Sequence, residues 1–138
     1  RHSYDVLGDA VSTTARLESQ CKAYGVLLII GPETVRRTQD EFFYLKLDDL
    51  AVKGKTVGLD IYTVLEKPYP QAKVQHDQMH ELYSKQKFKD AIKLCNKLKG
   101  EFDSQMDKYY DMWIERCEYM STQKLPKDWN GVFVATTK

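Results

Sequence analysis

Small and apolar residues recur at helical spacing near the start of the chain: Ala10, Thr14, Leu17, Cys21 and Tyr24, with Val11 and Ala15 alongside. Asp9 stands where a helix N-cap is expected and Gly25 where the C-cap belongs. Val26 to Ile30 is a short continuous apolar run, which predicts a strand. Gly31-Pro32 bounds it and opens a short helix through Gln39. Phe42 to Val52 and Val57 to Leu65 are β-prone, with Lys-Gly-Lys-Thr between them as a turn. The order loop, helix, strand, helix, strand, strand predicts half of an α/β sheet domain.

A different pattern follows Pro68 and Pro70. His76 to Ser84, Phe88 to Lys99 and Met106 to Met120 each carry an apolar stripe. The first two fit a helical hairpin joined at Lys85-Gln86-Lys87. The third offers Tyr109, Met112, Trp113, Arg116 and Met120. Asp128 to Gly131 reads as a turn, and Val132 to Ala135 as a short β-prone end. The expected division is 1–66 for the sheet part and 67–75 for a linker. Residues 76–138 form a helical tail with a short extended segment.

Charge supports that division, with a net of −2 from Arg1 to Glu66 and +3 after it. The whole chain of 138 residues carries only +1, without the basic stripe of a nucleic-acid binder. At 42% apolar and 30% charged, the composition is globular. No run approaches the ~18 apolar residues of a membrane span. Cys21, Cys95 and Cys117 are odd in number and lack a CxxC pair. They read as reduced thiols of a cytoplasmic protein. Arg1 in place of Met, with a motif beginning three residues later, predicts a fragment of a longer protein.

Ser12 and Arg16 lie four apart on the polar face of the first predicted helix, near its N-terminus. Free N–H groups and the macrodipole favour an anion there, and a guanidinium can meet a phosphate bidentately. On this evidence alone Arg16 reads rather as a solvated helix-face charge, since lone arginines on helices are common.

The segment YDVLGDAVSTTARLES, Tyr4 to Ser19, resembles the nucleotide-binding motif of class III adenylate and guanylate cyclases. Val52-Lys53-Gly54-Lys55 resembles that family's downstream hairpin. The resemblance implies the C-terminal half of a ferredoxin-like sheet domain. It implies conversion of ATP to cyclic AMP and pyrophosphate at the interface of a homodimer. Asp5 would accept a hydrogen bond from the adenine amino group, Arg16 would hold the reacting phosphates, and Lys53 the terminal phosphates. Ser12 replaces the family's asparagine, which orients the ribose, so its shorter hydroxyl would reach the sugar through a water. Two Mg²⁺ or Mn²⁺ ions are implied, with ligands upstream of Arg1, so the fragment alone is expected to be inactive. Asp9 fits helix capping better than metal binding.

The tail has likenesses of its own. Phe88 to Leu98 resembles the second helix of a tetratricopeptide repeat; one such hairpin is too little for a solenoid and points to packing on the sheet or pairing of subunits. The helical hairpin and the segment Pro126 to Val132 are similar to the C-terminus of bacterial cyclases with membrane-anchored sensors. That likeness implies a parent protein on the inner membrane with this portion in the cytoplasm, touching no lipid. Three other signals are weaker. His76 and His80 resemble a zincin pair but lack its glutamate and a third ligand, so an exposed helix is expected. Gly54-Lys55-Thr56 resembles the end of a P-loop, but Asp49 stands where its first glycine should be. Trp113 and Trp129 read as core anchors. Two alternatives to an adenylate cyclase remain: a guanylate cyclase, which Asp5 disfavours, and a non-catalytic cyclase-like domain for dimerisation or regulation, which Ser12 keeps open.

Overall fold

The computed structural model describes residues 20–51 and 58–134. Residues 20–24 are helical and end as predicted at Gly25, whose φ of +69° suits a residue without Cβ. Val26 N–H donates to Cys21 O at 3.0 Å and Gly25 N–H to Lys22 O at 3.2 Å, the paired bonds of a Schellman cap. The expected strand Val26–Ile30 does not form. Only Ile30 pairs, with Tyr62, before Gly31-Pro32 turns the chain away. Leu27 is left 95% exposed.

Helix α1 spans Pro32–Thr38, with Pro32 in its first turn, Glu33 near its N-terminus and Arg36 and Arg37 near its C-terminus. Each charge complements the helix dipole. Strands β1 (Phe43–Ala51) and β2 (Leu59–Leu65) pair antiparallel, as the alternation predicts. Their register runs from Phe43↔Leu65 to Lys46↔Tyr62 and resumes at Asp48↔Ile61, so Leu47 is the extra residue of a bulge. A bulge of this kind turns two neighbours inward, and both Leu47 and Asp48 are buried.

Helix α2 spans Pro70–Ser84, beginning six residues before the predicted start. Proline suits the first helical position, and Ala72, His76, Met79 and Tyr83 then fall on one buried face. Helix α3 (Phe88–Leu98) buries Phe88, Ala91, Cys95 and Leu98. Helix α4 (Asp107–Met120) buries Tyr109, Tyr110, Trp113, Arg116, Cys117 and Met120. Strand β3 (Phe133–Val134) then returns parallel to β1, giving the sheet order β2-β1-β3. The architecture is mixed α/β.

One apolar cluster joins the two patterns read along the chain. It runs from Leu45, Leu47 and Ile61 of the sheet through Met79 and Leu98 to Trp113 and Cys117. Trp129 packs edge-on against Tyr83 at 5.2 Å, so both tryptophans serve the core. The three cysteines form no disulfide. Burial pushes the thiols of Cys95 and Cys117 up to about 12. Among the described residues no helix is long and apolar enough to cross a membrane.

Candidate functional site

Asp5, Ser12, Arg16 and Lys53, the residues the motif singles out, lie outside the described residues, as does Asp9. The structure describes the roots from which those segments spring. Residues 20–24 continue the segment that carries Ser12 and Arg16, and β1 ends at Ala51, two residues before Lys53. At the far side of that connection, a Cβ on Gly58 would meet Asp49 Oδ1 at 2.0 Å and Val132 Cγ2 at 2.8 Å. A side chain there would have to displace the Asp49 carboxylate.

Three consecutive residues at the β1 bulge are held by side chains of the helices. His76 Nε2 lies 2.6 Å from Lys46 O, and its Nδ1 lies 2.7 Å from the Tyr110 hydroxyl. A carbonyl can only accept, so Nε2 carries the proton and Nδ1 accepts from Tyr110. Tyr109 donates to Leu47 O at 2.6 Å. Its oxygen in turn accepts from His80 Nε2 at 2.9 Å. Beside them, Arg116 Nη1 meets Asp48 Oδ2 at 2.6 Å.

Asp48 is the centre of a buried polar knot. Tyr24 donates to the same Oδ2 at 2.5 Å, and the Asp49 amide donates to Oδ1 at 2.8 Å. Arg116 Nη2 also reaches the Tyr24 oxygen at 3.4 Å. The guanidinium lies 3.7 Å from the centroid of Phe133 and 4.7 Å from that of Trp113, so aromatic faces supply what water would have. Burial drives the Asp48 carboxyl upward, while Arg116, Tyr24 and the Asp49 amide pull it back. Burial also raises the Tyr24 hydroxyl, keeping it a donor.

The expectation of an exposed His76–His80 helix is overturned. His76 is fully buried, and its ring lies 4.8 Å from that of His80. Burial lowers His76 to about 4 and His80 well below its usual value, so both rings are neutral at pH 7. Among the described residues no group of three or more His, Cys, Asp or Glu could hold a metal ion. Sequence reasoning missed this knot; the signal that could have marked it is Arg116 interrupting an otherwise apolar stripe, while its partner Asp48 carries no comparable mark.

A groove of about 950 Å³ opens between residues 25–28, the approach to β1 and the end of β2. Leu27, Leu28 and Phe42 line it, and among the described residues its charged lining, Asp40, Glu41 and Glu66, is acidic.

Comparison with known proteins gives the chain its context. It is 27% identical over 124 residues to "Adenylate cyclase, terminal-differentiation specific" of Dictyostelium discoideum, covering 80% of this chain and 6% of that protein. It is 32% identical over 65 residues to "Adenylate cyclase 1" of Rhizobium meliloti (strain 1021), covering 47% of this chain and 10% of that protein. Both point to an adenylate cyclase-related family. The first match is too long to avoid the helical part: wherever it begins it takes in β1, β2, α2 and α3. The chain spans about a tenth or less of the length of these relatives. No protein-family model and no solved structure matches the chain.

Proposed function

We propose that this chain is part of a class III adenylate cyclase, which converts ATP to cyclic AMP and pyrophosphate. The observation that carries this reading is the similarity to two adenylate cyclases, joined to the motif from Tyr4 to Ser19. In the reaction the ribose 3′-oxygen attacks the α-phosphorus, the bond to the β-phosphate oxygen breaks, and the 3′-hydroxyl proton is released. Asp5 selects adenine, Arg16 meets the charge that develops on the phosphates, and Lys53 holds the terminal phosphates. Ser12 orients the ribose through a water. These are positioning and electrostatic roles, the kind that dominate phosphoryl-type transfer. The resemblance implies that Mg²⁺ or Mn²⁺ would take its ligands from the other half of the domain, and in this reading the 138-residue chain alone is inactive. The sheet part is the C-terminal half of a ferredoxin-like domain that pairs as a homodimer in the cytoplasm, and the tail is a tetratricopeptide-like helical unit packed on it. Ser12 favours a second reading, a non-catalytic cyclase-like domain for dimerisation.

The test is made on the full-length protein that carries this chain, supplied with ATP or GTP and Mn²⁺. Cyclic AMP should form from ATP in preference to cyclic GMP from GTP, and Arg16→Ala should lower kcat by about 100-fold or more. A well-folded wild type that leaves ATP unchanged would rule out the enzyme and leave the dimerisation domain. Cyclic AMP from the isolated 138 residues would show that the catalytic set is complete here.

A further inference from the structure

The knot at Asp48 joins three parts of the chain that are far apart in sequence. Tyr24 ends the helical residues 20–24 and stands eight residues after Arg16. Asp48 stands on β1, five residues before Lys53. Arg116 belongs to the third helix of the tail. One guanidinium therefore ties together the roots of both segments that lead to the proposed phosphate ligands. Its exposure is only 8%, and Asp48 and Tyr24 are more deeply buried still.

Two further contacts hold the same roots to the same helix. A Cβ on Gly25 would meet Lys108 Cβ at 2.6 Å and Tyr109 N at 3.3 Å, so the end of the 20–24 helix lies directly on the start of α4. Tyr109, on that turn of α4, donates to Leu47 O at the bulge. A buried ion pair is a poor source of stability, because desolvation offsets most of its attraction. It is a good source of geometry, because the planar guanidinium meets Asp48 through Nη1 and the Tyr24 oxygen through Nη2 and so constrains both at once.

We infer that Arg116 is a positioning residue for nucleotide turnover: with Asp48 and Tyr24 it fixes residues 20–24 against β1, the stretches that adjoin in sequence those bearing Arg16 and Lys53. The inference rests on the cyclase reading and adds to it that the helical tail is a working part of the nucleotide site. Arg116 itself touches no substrate.

The experiment compares three variants of the full-length protein by steady-state kinetics with ATP and by thermal melting. Tyr24→Phe removes one hydroxyl and keeps the ring. Arg116→Lys keeps the charge and loses the fork. The paired swap Asp48→Leu with Arg116→Met replaces the ion pair by apolar packing, a change that often preserves stability. A protein that is merely less folded loses active fraction, which lowers apparent kcat at unchanged KM. Misplaced phosphate ligands raise KM for ATP as well and lower kcat/KM by about 10- to 100-fold. The expected result is that shift in KM in the variants that melt close to wild type, smallest in Tyr24→Phe. An active wild type with KM unchanged in every variant that folds would overturn the tie. A wild type that makes no cyclic AMP would overturn the cyclase reading itself.

Discussion

His76 has both ring nitrogens in hydrogen bonds and no access to water. The unfolded chain exposes the same ring at its ordinary pKa near 6.5. The folded value of about 4 lies below that, so between these values the unfolded state binds more protons. Stability from the neutral ring is therefore fully present above about pH 6.5 and is lost as pH falls towards 4. The shift corresponds to about 3 kcal/mol at its full extent, a large share of a small domain's stability. His80, lowered in the same direction by burial and by His76, steepens the loss. Urea midpoints of the chain should be level above pH 6.5 and drop steadily towards pH 4.5. In His76→Gln the drop should be shallower, from a lower plateau. A wild-type midpoint that stays constant across this range would contradict the buried, neutral assignment.

At the scale of elements, Gly25 shows how a cap can also be a packing contact. Its φ of +69° costs any other residue about 1–2 kcal/mol. An alanine there would also press its methyl into Lys108 of α4, an overpacking cost of about 1–3 kcal/mol. Gly25→Ala should therefore destabilise the chain by about 2–4 kcal/mol in denaturant titrations. Gly100 offers a control: it too has positive φ, but nothing lies within 4 Å of the added Cβ. Its alanine variant should lose only the conformational part, and equal losses at the two positions would refute the contact with α4. The cap itself was legible in the sequence, as were α1, the β1–β2 pair and the stripes of α3 and α4, because each has a local period or a turn residue. The failures have non-local causes. Val26 to Ile30 looks like a strand but meets β2 only at Ile30. Nothing in Lys46-Leu47-Asp48 marks a bulge, and the burial of His76 depends on a carbonyl thirty residues away. Arg16, Ser12, Asp5 and Lys53 were readable only through resemblance, since on periodicity alone Arg16 is one more helix-face charge.

For the whole molecule the question is whether the helical part can be removed. Its helices share one apolar cluster with Leu45, Leu47, Ile61 and Leu65 of the sheet, none of which is more than 8% exposed. Uncovering four such side chains costs about 1.5–3 kcal/mol each, and the total rivals the entire stability of a domain this size. The cut would also strip the bulge of its partners, leaving Lys46 O and Leu47 O without His76 and Tyr109 and Asp48 without Arg116. Among the described residues, what remains would be a two-stranded hairpin with α1 and residues 20–31, below the three strands or helix cover that a sheet needs to stand alone. The chain ended after Tyr69 should therefore show a collapsed, poorly dispersed amide spectrum and no cooperative melt. Adding residues 70–138 as a separate peptide should restore dispersion in part, because the interface is a core divided in two and not a polar domain contact. A cooperatively melting, well-dispersed 1–69 would mean instead that the sheet carries its own core and that the helices are a detachable appendage. The similarity to the Dictyostelium adenylate cyclase covers 80% of the chain and so takes in part of both, which favours the first outcome.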